Sequence, residues 1–272
     1  MQSTFSIFQS LKDLKNSDKM PTLFIGHGSP MNAIDDNQYR RSWEELGKEL
    51  PKPKAILSIS AHWITQGSTK VTAMEKPKTI HDFGGFPNEL YQQQYPALGS
   101  PIFANETIGL VTNATIQSDF EWGLDHGTWS VLLPMFPNAD IPVYQLSINY
   151  SKPPQFHYDI ALQLKSLRDK GVLVLGSGNM VHNLGTLNFS NKTYDWALEF
   201  DSVIKRYIDN SNHQGIIDFQ NLGSLAKMAH PSYDHFLPLL YILALQEKNE
   251  SVNYFNELFD LGSISMRSLI IS

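Results

Sequence analysis

Cysteine is absent from the 272 residues, so disulfides, thiolate-bound zinc and a thiol nucleophile are excluded by count. Any metal must be held by His, Asp or Glu. No run approaches the roughly 20 apolar residues of a membrane span. The first twenty residues break their apolar stretches with Lys12, Asp13, Lys15, Asp18 and Lys19, which leaves no signal-peptide core. A soluble, cytoplasmic protein is expected. Lys and Arg form no run, and the net charge is −6 with a pI near 5.8, which argues against nucleic acid or an anionic membrane as partner. Low-complexity tracts, internal repeats and clear linkers are also missing. The expected ligand is small.

What is present is 42% hydrophobic residues, enough for one large core. Apolar, β-branched runs read as buried strands at Thr22 to Ile25, Ala55 to Ser60, Ile141 to Ile148, Val172 to Leu175 and Ser263 to Ile271. Helical patterns lie between them at Arg41 to Leu50, His157 to Lys170, Trp196 to Asp209 and Phe236 to Gln246. This alternation predicts a single α/β domain over residues 21–272, a central mixed sheet with helices on both faces, after an N-terminal extension of residues 1–20. In such sheets ligands gather beyond the C-terminal ends of the strands.

Three of the nine histidines fall at such ends. His27 follows Leu23 to Ile25 between Gly26 and Gly28, His62 follows Ile56 to Ser60, and His182 follows Val172 to Leu175 and the segment Gly176-Ser177-Gly178. That glycine segment lacks the Lys and Ser or Thr of a P-loop and the full dinucleotide fingerprint, and Ser177 lacks the flanks of a nucleophile elbow. It reads as a tight turn presenting His182. Gly26 and Gly28 read as clearing space around His27.

Two further imidazoles open the last apolar helix, His230 and His235, and spacing does not choose between them. Ser232 or Asp234 is a candidate cap for that helix, with Asp234 also close enough to act on His235 electrostatically. In Trp122-Gly-Leu-Asp-His126-Gly-Thr-Trp129, Asp125 is positioned to set the tautomer or charge of His126, and the alternative is an aromatic packing turn. Thr79 to Pro87 reads as a loop, plausibly a lid, with His81 either in it or simply at the surface. His157 and His213 read as background.

The ordered segments GHGSPMNA, SAHW, TIHDFGGFP, DHGTW, QLSI, GSGNMVHN and DHFLPLLY resemble the class III extradiol ring-cleavage dioxygenases of the LigB superfamily, nearest the 4,5-DOPA dioxygenase extradiol branch. The resemblance runs from about Met20 to the C-terminus. It implies one divalent metal in a strand-end pocket, with His27, His62 and His235 as ligands. His182 is implied as an acid–base residue that the nearer branch groups with the ligands, and His126 as a histidine beside the substrate. The implied reaction opens a catechol such as L-DOPA with O2, giving a product able to cyclise to betalamic acid. Fe(II) is expected for turnover and Zn(II) as the metal found, because divalent affinity generally favours zinc. His182, titrating near neutrality, is expected to move the catechol proton with His126 assisting. A zinc hydrolase and a non-catalytic metal-binding interaction protein are the competing readings. A monomer or small homo-oligomer is expected.

Overall fold

The computed structural model describes residues 19–190 and 192–272. The 1–20 extension therefore lies outside the described residues except for its last two. Of these, Met20 is buried, its N–H donating to the Arg168 carbonyl and its own carbonyl accepting from Arg168 Nε at 2.8 Å.

Six strands form the central sheet: β1 (Thr22–Gly26), β2 (Ala55–Ser60), β3 (Val143–Gln145), β4 (Val172–Gly178), β5 (Val252–Phe255) and β6 (Ser268–Ile271), in the order β5-β6-β1-β4-β2-β3. β1, β4, β2 and β3 run parallel, and β6 pairs antiparallel with β1 and β5. Side chains alternate faces along a strand, and here both faces are apolar. Phe24, Leu57, Val172 and Val174 belong to one core, and Leu23, Ile25, Ile56, Leu173 and Leu175 to the other. Each of these apolar side chains contributes about 1.5–3 kcal/mol through burial. The first core is covered by α3 (Pro154–Leu162), α4 (Asp195–Asp209) and α5 (Leu237–Ala244), the second by α1 (Gln38–Glu49) and α2 (His126–Met135). Among the described residues no helix is long and apolar enough to cross a membrane.

Several expected elements change where pairing partners change. The run Ile141 to Ile148 is not one strand: after Gln145 the chain leaves β2, with Ser147 N–H donating to the Lys70 carbonyl and Ile148 pairing with Ile64. The run from Ser263 likewise splits, Ile264–Ser265 pairing with Phe259–Asp260 before β6 joins the sheet. The helix expected over His157 to Lys170 ends at Leu162, with a separate turn at Ser166–Asp169. Helix α1 starts earlier than its apolar pattern, because Asn37 Oδ1 accepts from the N–H groups of Tyr39 and Arg40.

Gly176-Ser177-Gly178 is not a turn but the end of β4. A Cβ on Gly178 would collide with the carbonyl oxygen of His235. The glycine lets the chain before α5 lie directly on the strand, where Asn179 N–H donates to that carbonyl at 2.9 Å. Gly26 serves a similar end: its Cβ would lie 2.7 Å from the Met266 carbonyl carbon. Gly26 thus admits neighbouring backbone, whereas Gly28 adopts a left-handed φ of 57° with the Met266 side chain where a Cβ would sit.

Candidate metal centre

Strand register brings the first two histidines together. Gly26 pairs with Gly178 and Ser60 with Ser177, so β1, β4 and β2 end side by side, and His27 and His62 leave the sheet at one edge. The backbone contact between Asn179 and His235 carries a residue from far along the chain to the same place. The rings form a triangle, with centroids 5.0 Å apart for His27 and His62, 5.3 Å for His27 and His235, and 5.0 Å for His62 and His235. One nitrogen from each lies within 4.8 Å of the others. His27 Nε2 and His62 Nε2 are 3.1 Å apart, a fitting separation for two ligands about 2.1 Å from a common ion.

The protonation of this cluster follows from its hydrogen bonds. Ser177 Oγ donates its single hydrogen to the Gly127 carbonyl and therefore accepts from His27 Nδ1 at 2.9 Å. His27 is thus fixed with its lone pair on Nε2, the nitrogen facing His62. Burial, then the neighbouring imidazoles beginning with His62, hold His27 well below the usual histidine range. His235 is lowered by burial and then by His182 and His62, and His62 falls to about 3 through burial and then the charge of His126. All three are neutral near pH 7, the state a metal ligand requires. His235 Nδ1 is buried 3.3 Å from Asp234 Oδ1, with no aligned hydrogen bond among the described residues. Ser177→Ala should weaken divalent-metal affinity by about 10–100-fold with little change in fold, the usual cost of losing a group that orients a metal-binding histidine; competition with a chromogenic chelator would measure it.

His182 stands outside the triangle, stacked on His235 with centroids 3.5 Å apart and planes 5° from parallel. Its main chain is pinned by an N–H bond to the Ala229 carbonyl. Burial pulls its pKa down to about 4 despite the opposing charge of Asp234, so the titration near neutrality expected from sequence does not hold in this pocket. His126 lies on the other side, its ring 3.8 Å from that of His62. His230, the competitor of His235, faces away: it is buried with Nε2 2.9 Å from the Met180 carbonyl. His81 Nε2 donates to the Gln93 carbonyl at 2.9 Å and anchors its loop. His157 and His213 bond Tyr241 and Tyr158 respectively. Neither Ser232 nor Asp234 caps α5.

Asp125 does not set the tautomer of His126, although its charge couples to that ring. Its Oδ1 accepts from Ser60 Oγ at 2.6 Å and from Thr128 N–H, capping α2, while Oδ2 accepts from Gln145 Nε2 at 2.7 Å. The carboxylate on His126 is instead Asp82, which sequence reasoning passed over in favour of its neighbour His81. Asp82 Oδ1 accepts from the His126 backbone N–H at 2.8 Å, and Oδ2 lies 3.0 Å from His126 Nδ1 and 3.6 Å from His62 Nδ1. Asp125→Ala, which removes a helix cap and leaves Ser60 and Gln145 short of a buried partner, should cost about 2–4 kcal/mol of stability, read from denaturant unfolding.

An α/β sheet whose parallel strands end beside three neutral imidazoles, two buried and one half-buried, defines a histidine-lined enzyme site able to hold a metal ion. The family described as the catalytic LigB subunit of aromatic ring-opening dioxygenase matches residues 21–265, and the chain belongs to that family. It is 45% identical over 270 residues to a 4,5-DOPA dioxygenase extradiol of Escherichia coli (strain K12), covering 96% of this chain and 98% of that one. It is 38% identical over 254 residues to the protein of the same name from Beta vulgaris, covering 91% and 94%. The crystal structure of an uncharacterized Escherichia coli K12 protein superposes with a TM-score of 0.82 at 39% identity, covering 93% of this chain and all of that one. The chain is an extradiol ring-cleavage dioxygenase. The hydrolase and interaction-protein readings are set aside.

Proposed function

We propose that this enzyme cleaves a catechol with dioxygen using one divalent metal ion held by His27, His62 and His235, and that L-DOPA, opened between ring carbons 4 and 5, is a substrate. The observation that carries the reading is the convergence of three imidazole nitrogens within 4.8 Å; their neutral state fits a metal. The substrate rests on the names of the curated relatives. When bound, Fe(II) would supply the redox chemistry that triplet dioxygen needs to react with a singlet catechol; Zn(II), the metal expected after purification, would not.

This chain's own residues do the rest. His182, neutral and stacked on His235, takes a catechol hydroxyl proton and later returns it, work that typically contributes ~10²- to 10⁴-fold in rate. His126 assists from the opposite side. We place the enzyme in the cytoplasm, with residues 21–272 as its catalytic domain.

Anaerobic reconstitution of metal-free protein with Fe(II) or Zn(II), followed by L-DOPA or a panel of simple catechols and then oxygen, tests the proposal. Oxygen uptake with a yellow product is expected from the Fe(II) form alone. Silence of the Fe(II) form across the panel, or equal turnover with Zn(II), would overturn it.

A further inference from the structure

We propose that Asp82 is a positioning residue that holds His126 in the tautomer with hydrogen on Nδ1 and the lone pair on Nε2. The inference rests on the acid–base reading of His126 and extends it to the group behind the ring. His126 is 6% exposed, and its Nδ1 is shielded from solvent with no aligned hydrogen bond among the described residues. Among the described residues the charged atom within reach is Asp82 Oδ2, 3.0 Å away. A lone pair on Nδ1 would face that oxygen as acceptor against acceptor, so the hydrogen belongs on Nδ1.

Asp82 is itself held firmly. Just before it, Ile80 N–H donates to the Leu124 carbonyl and the Ile80 carbonyl accepts from Trp129 Nε1, both at 2.8 Å. Just after it, Phe83 packs edge-on against the His126 ring, centroids 5.5 Å apart. The carboxylate meets one residue twice: Oδ1 accepts from its backbone N–H, and Oδ2 lies 3.0 Å from its ring Nδ1. When Nε2 takes a proton from a catechol hydroxyl, the products are the catecholate and an imidazolium facing a carboxylate, which stabilises the charge.

Asp82→Asn separates this role from a packing role. The amide oxygen still accepts from the His126 backbone, but the amide N–H₂ now faces Nδ1 and selects the opposite tautomer, with hydrogen on Nε2. The ring ¹⁵N shifts of the metal-free, histidine-labelled protein, with His126 assigned by its loss in His126→Phe, should show hydrogen on Nδ1 in the wild type and on Nε2 in Asp82→Asn. With Fe(II) loaded to equal content, kcat for a catechol should fall ~10²-fold or more, KM should change little, and Asp82→Glu should recover part of the rate. An unchanged tautomer in Asp82→Asn, an unchanged kcat, or a loss explained by lost metal would overturn the proposal. A His126→Phe enzyme that turns over normally while the tautomer switch persists would instead overturn the acid–base reading of His126, so the two failures are told apart.

Discussion

His62→Ala should leave a folded protein that no longer retains metal and turns over no catechol. His62 offers Nε2 3.1 Å from the His27 lone pair and sits in the middle of the cluster, between His27 and His126. Losing a group that merely orients a ligand costs 10–100-fold in affinity, so losing one of three ligands should cost more than ~100-fold. The fold should survive, because His62 follows β2 rather than lying in either core. Metal analysis after dialysis, with circular dichroism as the control, measures this. A variant that keeps stoichiometric metal would remove His62 from the ligand set.

His182→Ala should behave in the opposite way, keeping its metal and losing ~10²- to 10⁴-fold in kcat. His182 touches the centre only through its stack on His235 and is no part of the triangle, so its removal takes away a proton acceptor and leaves the three nitrogens in place. Its pKa of about 4, set chiefly by burial, makes it a neutral base at pH 7 whose protonated form readily gives the proton back. Loss of metal from His182→Ala would instead make it a ligand.

The strands were legible because a parallel sheet buried on both faces leaves continuous apolar runs, and the site was partly legible because imidazoles follow three of them. Thr22 to Ile25 and Ala55 to Ser60 match β1 and β2 almost residue for residue. What the sequence hid was set by tertiary neighbours. Gly178 resembles a turn glycine, yet its purpose is to let the His235 carbonyl reach β4, and nothing local announces a partner 57 positions away (235 minus 178). Asp125 is adjacent to His126 in sequence, but at the N-cap of α2 its oxygens turn to Thr128, Ser60 and Gln145. Asp82 serves His126 from 44 positions away. Its only local signal was a carboxylate inside a Gly-Gly-Phe loop. Ser177, dismissed as a nucleophile, proves to fix the His27 tautomer.

Anomalous diffraction from crystals of the Fe(II)-loaded, oxygen-free enzyme tests the central claim most directly. The account expects one metal peak about 2.1 Å from His27 Nε2, His62 Nε2 and a ring nitrogen of His235, with His182 stacked beside it and unbound. A single ion held instead by His62, Asp82 and His126, the other cluster able to take one, would contradict it.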